Sequence, residues 1–215
     1  MRNKEKDAKL QEIRRAAFLE TGFKLFSEKT IETVTLPQIA KASGYGTATL
    51  YRYYAKKPGF VVAVAVRKWD EFAKEIWYSW EIKGFDQEKS AAVHFKLYLD
   101  FFLELYRNHR DFLRFNQFFN VYVRSEKIDM ETLAPYQEMI GRMKDHFRNT
   151  VYRKAQQDHT IRTDEPAEKM FSKTLHLMLA AVTRYAVGLV YTESGFDAIE
   201  ELEFLKETIL ASYQV

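Results

Sequence analysis

The chain has 215 residues, no cysteine and a formal net charge of +3. That length can bury a core without covalent staples, and the absence of Cys excludes disulfides, thiolate metal sites and cysteine nucleophiles, in keeping with a reducing, cytoplasmic setting. The longest apolar run, Phe60 to Val66, falls far short of the roughly 20 residues a membrane span needs. The opening stretch MRNKEKDAKLQEIRR is too charged to be the apolar part of a secretory signal, so neither export nor a membrane partner is expected.

Charge is unevenly placed. Residues 1–60 hold 12 Lys and Arg against 6 Asp and Glu, leaving 21 against 24 for the remainder. A basic first segment suits a polyanionic partner, although a solvated basic helix with no partner gives the same pattern. With 4 Pro and 8 Gly and helical periodicity nearly throughout, the chain reads as all-α.

In chain order, residues 8–28 place Ile13, Ala16, Ala17, Phe23 and Phe26 at helical spacing, predicting a first amphipathic helix. Thr35-Leu36-Pro37-Gln38 matches a capping box and starts a second, which Ser43 or Gly44 ends. Gly46 opens a third. Pro58 suits the first turn of a long helix to about Lys83, with Trp69, Phe72, Ile76 and Trp80 on one face. Beyond a break at Gly84, helices are predicted near 88–108, 110–123, 129–157, 166–192 and 197–213.

Leu36 to Tyr54, LPQIAKASGYGTATLYRYY, carries the functional signal. Two helices that cross in a helix-turn-helix need a small residue at the approach, a turn residue tolerant of positive φ, and apolar residues that fix the crossing. Ala40, Gly44 and Leu50 supply these, with Ile39 and Tyr45 beside them; two ordinary short helices joined by a glycine turn are the alternative. The second helix begins with small residues, Thr47, Ala48 and Thr49, slim enough to enter a major groove about 12 Å wide. Thr47 and Thr49 can donate to phosphates or bases, and Tyr51, Arg52, Tyr53 and Lys57 can reach backbone oxygens at the rim. Tyr54 sits nearer the apolar side and stays out of this set.

The series Phe23, Leu25-Phe26, Thr35, Ile39-Ala40, Gly44, Thr49-Leu50-Tyr51-Arg52-Tyr53-Tyr54, Lys57 and Phe60 resembles the N-terminal signature of the tetracycline-repressor (TetR) family. The resemblance covers roughly residues 13–65 and implies that the helix from Gly46 to Tyr53 enters the major groove while Lys57 grips phosphate. Departures are Thr30 and Val34, where glycine and threonine are usual, Gly46 in place of a serine cap, and Thr47-Ala48 in place of lysine and glycine. The expected interface with a double-stranded DNA operator is thus Thr35, Gly46, Thr47, Ala48, Thr49, Tyr51, Arg52, Tyr53 and Lys57.

Between Lys89 and Tyr122 aromatics are dense. They fit a plain core, or a cavity lined by Tyr98, Phe102, Phe115, Phe119, Met139, Met143 and Met178, and the resemblance implies the cavity and a small apolar or aromatic effector. In the penultimate helix Phe171, Leu175, Met178, Val182, Tyr185 and Leu189 repeat in steps of four and three. Ile199, Leu202, Leu205 or Lys206, and Ile209 continue that pattern in the last helix. These stripes fit packing within the chain or a four-helix bundle across a twofold axis. One reading helix contacts few bases and two reach paired half-sites, so a homodimer through Phe171, Leu175, Val182, Tyr185, Leu189, Leu202 and Ile209 is expected.

No phosphate loop, dinucleotide fingerprint, zinc-protease motif or nucleophile elbow is present, and the five histidines lack ligand spacing. The sequence therefore predicts a non-enzymatic regulator without metal or cofactor. Residues 1–60 form a three-helix helix-turn-helix DNA-binding domain, and 61–215 form a helical ligand-sensing and dimerisation domain. As a homodimer the chain would repress from an inverted-repeat operator. An enzyme with a spatially assembled acid–base pair and a helical interaction module are the other readings.

Overall fold

The computed structural model describes residues 4–82, 89–191 and 196–215, with side chains left out at 4, 5 and 76–82. The predicted break at Gly84, the helix ends at Lys83, Glu88 and Thr192, and the side chains of Ile76 and Trp80 lie outside the described residues. Among those described, the helices are α1 (Lys4–Glu28), α2 (Leu36–Ala42), α3 (Thr47–Tyr53), α4 (Lys57–Ile82), α5 (Ala91–Asn108), α6 (Arg110–Ser125), α7 (Met130–Phe147), α8 (Arg153–Asp158), α9 (Ala167–Val187) and α10 (Ile199–Tyr213). The only extended pairing described is an isolated bridge between Ile161 and Gln214. No described helix is long and apolar enough to cross a membrane.

The chain divides into two compact units, Met1–Asp70 with Phe115–Glu138, and Glu71–Arg114 with Met139–Val215. The first differs from the 1–60 segment expected from sequence by running on to Asp70 and taking in residues 115–138.

In the first unit, α1 buries Phe18, Leu19, Phe23 and Phe26, while Ile13 is 52% exposed. This corrects the predicted face, because the stripe that packs begins one turn later. Phe26 meets Phe60 of α4 at 6.1 Å between ring centroids and stacks with Phe115 of α6 at 6.3 Å; Phe23 meets Phe115 edge-on at 5.6 Å. Such ring pairs add about 0.5–1.5 kcal/mol each beyond the area they bury. They join Phe23, Phe26, Phe60 and Phe115 in one core.

In the second unit α5 packs along α9 and α10. Its N-terminus is capped twice. Ser90 Oγ accepts the Val93 amide at 3.4 Å, and the Asp158 carboxylate accepts the Ala91 amide at 2.6 Å. Tyr98, Phe95, Phe147 and Phe171 form a ring cluster, with Tyr98 and Phe147 centroids 4.9 Å apart. Buried Lys206 is matched by Asp100 at 2.9 Å and Glu203 at 2.5 Å, the pairing that a charge removed from water requires. The helix predicted over 129–157 is interrupted, since Arg148–Tyr152 forms a π-helical turn between α7 and α8. One extra residue per turn there shifts every later side chain around the axis, and periodicity read from sequence does not register it.

Candidate nucleic-acid interface

The helix-turn-helix is built from two local devices. At its start, Thr35 Oγ1 accepts the Gln38 amide at 3.4 Å and Gln38 Oε1 accepts the Thr35 amide at 2.7 Å, a closed capping box on α2. At its turn, Gly44 holds φ +76°, its amide donates to Lys41 O at 3.2 Å, and the Tyr45 amide donates to Ala40 O at 3.1 Å. That is a Schellman motif, in which only glycine takes the left-handed position without a Cβ penalty. The Tyr45 ring then packs on buried Phe18 at 5.4 Å, anchoring the turn to α1.

Gly46 is the N-cap of α3 in extended conformation, and no side chain caps the helix. A Cβ at Gly46 would meet nothing within 4 Å, so the entrance to the helix is open. Leu50 is fully buried and Tyr54 is buried edge-on against Phe60 at 5.0 Å, which fixes the opposite face outward. On that outer face Ala48, Tyr51 and Arg52 are exposed, and Thr47 and Thr49 are half-buried. Arg52 Nη2 donates to Thr49 Oγ1 at 3.4 Å. Tyr53 is turned further in than a rim residue, half-buried with its ring 6.1 Å from Phe18. Thr35 is exposed but its hydroxyl is engaged in the capping box.

Lys57, in the first turn of α4, is half-buried. Its Nζ donates to Glu32 O at 3.3 Å and lies 5.6 Å from the centre of the Tyr122 ring. Burial lowers the pKa of this ammonium, against the pull of Glu32 and Glu126. Beside it, a groove of about 490 Å³ runs between Tyr53–Lys56, Pro58 and Gly59 on one wall and Glu126–Asp129 with Thr132 on the other.

Residues 18–64 match the family model for bacterial regulatory proteins of the tetR family. Over these residues the chain is of the tetR type. The match spans the whole helix-turn-helix, from Phe18 under the turn to the first turns of α4. No curated protein matches the chain in sequence. The fold of the whole chain is that of tetR-type transcriptional regulators, several of which it resembles over nearly their full length. The transcriptional regulator FadR from Bacillus subtilis, in complex with stearoyl-CoA, has a TM-score of 0.70 at 13% identity, with 91% of this chain and 97% of that one covered. A TetR-family regulator from Marinobacter aquaeolei gives 0.63 at 18%, covering 96% and 98%. The ketosteroid regulator KstR2 of Mycobacterium tuberculosis gives 0.59 at 13%, covering 94% and 95%.

Outside this tetR domain the predicted site residues are dispersed. Of the expected cavity lining, Phe115 and Phe119 lie in the first unit, against Phe23, Phe26 and Tyr136. Tyr98, Phe102, Met139, Met143 and Met178 lie in the second, all but half-buried Met143 enclosed. Tyr98 shares a hydrogen bond with Thr174 Oγ1 at 3.3 Å, and burial pushes its hydroxyl pKa well up.

The expected dimer residues need correction. Phe171, Leu175, Val182, Leu202 and Ile209 are buried within their own chain, so the stripe of fours and threes marks internal packing. Tyr185 is half-buried and hydrogen-bonded to Glu201, and Leu189 follows the end of α9. The faces left uncovered lie on the opposite sides of the same helices: Leu177, Ala180, Arg184 and Val187 on α9, and Phe204, Thr208, Ala211 and Val215 on and just after α10. Missed by sequence reasoning were Tyr122 and Glu126, which lie at and just after the end of α6, some 65 residues beyond Lys57, and carried no local signal.

Proposed function

We propose that this chain is a cytoplasmic, sequence-specific DNA-binding transcriptional regulator, a ligand-responsive repressor that binds an inverted-repeat operator as a homodimer. The observation that carries this reading is the slim outward turn of α3, Thr47-Ala48-Thr49, flanked by exposed Tyr51 and Arg52 and held by a glycine turn. A helix of that shape fits a major groove, with the threonines at base edges and Arg52 and Lys57 at phosphates. In this division residues 1–60 read DNA and residues 61–215 sense a ligand and pair with a second copy. The similarity to FadR with its bound stearoyl-CoA supports a small effector with a large apolar part, received among Tyr98, Phe102, Met139, Met143 and Met178. Effector and operator are coupled through two arrangements of the dimer, and a coupling of roughly 1–3 kcal/mol changes DNA affinity about 5- to 150-fold.

The second copy covers the uncovered faces of α9 and α10. Phe204 is 75% exposed and Leu177 54%, an unusual cost for side chains of that size unless a partner shields them.

The test is selection of duplexes from a random library by the purified protein, followed by sequencing of the bound pool. Enrichment of an inverted repeat supports both the reading helix and the twofold dimer. A pool without enrichment, with only weak salt-labile binding, removes sequence-specific regulation.

A further inference from the structure

Lys57 is the residue expected to grip DNA, yet its ammonium is already occupied within its own unit. Its Nζ donates to the Glu32 carbonyl, faces the Tyr122 ring at 5.6 Å, and feels the carboxylates of Glu32 and Glu126. Glu126 follows Tyr122 by one helical turn, its amide donating to Tyr122 O at 3.0 Å. Burial, helped by the carboxylates of Glu126 and Glu32, pushes the Tyr122 hydroxyl pKa up to about 12. Next to Lys57, exposed Lys56 attracts the Asp129 carboxylate across the groove. The two lysines at the rim of α3 therefore face a wall made of a ring and two carboxylates, all from the end of α6 and the turn into α7.

An ammonium has three N–H donors, and a phosphate takes one or two of them at short range. A ring face and carboxylates satisfy the same charge. We propose that Tyr122 and Glu126 are positioning residues that compete with the DNA backbone for Lys57, so that the end of α6 sets how firmly the chain holds a duplex. This rests on the DNA-binding reading above. It gives α6 a specific means of control: any displacement of Tyr122 and Glu126 from Lys57 strengthens the phosphate contact, and any approach weakens it.

The experiment measures affinity of the full-length protein for its selected duplex by fluorescence anisotropy over a salt series. Tyr122→Leu and Glu126→Gln are each made in the natural chain and in a Lys57→Gln background. Loss of the ring contact is expected to tighten binding about 2- to 5-fold, with a similar gain for Glu126→Gln, and both gains disappear when Lys57 is absent. Tyr122→Phe, which keeps the ring, leaves affinity unchanged. A gain of equal size in the Lys57→Gln background reports general charge repulsion and overturns the proposal, as does no gain in either background. Tyr122 is buried, so if its leucine variant fails to fold, exposed Glu126 and the phenylalanine variant still decide. Absence of duplex binding by the unaltered protein defeats the DNA-binding reading itself, a different failure from binding that ignores Tyr122 and Glu126.

Discussion

At the scale of single residues, the DNA-binding reading proposed above separates the outward-facing side chains of α3 into those expected to grip and those expected to read. Arg52 is exposed and spends only one long hydrogen bond, at 3.4 Å, on Thr49, so its charge is available to phosphate. Arg52→Ala is expected to weaken binding to all duplexes nearly uniformly and to lower the salt slope by about 1. Thr47→Ala, at the slim tip, is expected to leave that slope intact and change which duplexes a library selection retains. Titrations over salt together with a selection for each variant distinguish the two, and an unchanged salt slope for Arg52→Ala removes it from the backbone contacts. The outer face itself was legible in the sequence, because capping box, turn glycine and buried Leu50 lie within twenty residues and fix it by themselves. Tyr53 was not, since its partner Phe18 lies 35 positions earlier and turns a presumed rim residue inward. Nor was the occupation of Lys57, which depends on Tyr122.

At the scale of elements, helices declare themselves by local pattern, whereas crossings depend on residues far apart. The sequence predicted a helix over nearly every observed one. It missed the π-helical turn at Arg148–Tyr152 and placed Ile13 inside, because periodicity shows that a face is apolar without showing where its cover begins. The crossing of α1 and α4 has no sequence signature at all. Gly22 lies there, and a Cβ on it would stand 2.6 Å from Cε1 and Cζ of Phe60. That ring is fully buried between Phe26 and Tyr54 and has nowhere to retreat. Alanine gains up to about 1 kcal/mol of helix propensity over glycine, while overpacking a tight core costs about 1–3 kcal/mol. Gly22→Ala is therefore expected to lose about 1–2 kcal/mol, seen as a lower denaturation midpoint at unchanged slope, and Phe60→Leu in the same chain should restore part of it. A rise in stability on Gly22→Ala would show that the ring yields and that closeness does not set this crossing.

At the scale of the whole molecule, the homodimer proposed above needs a face for its second copy, and the open sides of α9 and α10 are the faces that proposal uses. The stripe that the sequence offered for this contact is buried within its own chain. A stripe of fours and threes is the mark of a buried face whoever buries it, and α5 already covers that one. The outer stripes have the same spacing, Leu177, Ala180, Arg184 and Val187, then Phe204, Thr208, Ala211 and Val215, but smaller and more polar residues dilute their signal. Leu177→Glu and Phe204→Glu place charges on exposed positions, so each variant should keep its helicity and thermal stability as a monomer, which circular dichroism checks. Sedimentation velocity should show each shifted from dimer to monomer, since apposed carboxylates in a closed interface repel and lose water. Affinity for the full inverted repeat should then fall by about 100-fold or more, because linking two sites raises avidity by two to four orders of magnitude. Affinity for an isolated half-site should not change, as α3 is untouched. If both variants remain dimeric and bind the full repeat as before, the second copy sits elsewhere on the chain. If dimerisation is lost while full-repeat affinity persists, two monomers occupy the operator independently, and the coupling between effector and DNA has to run within one chain.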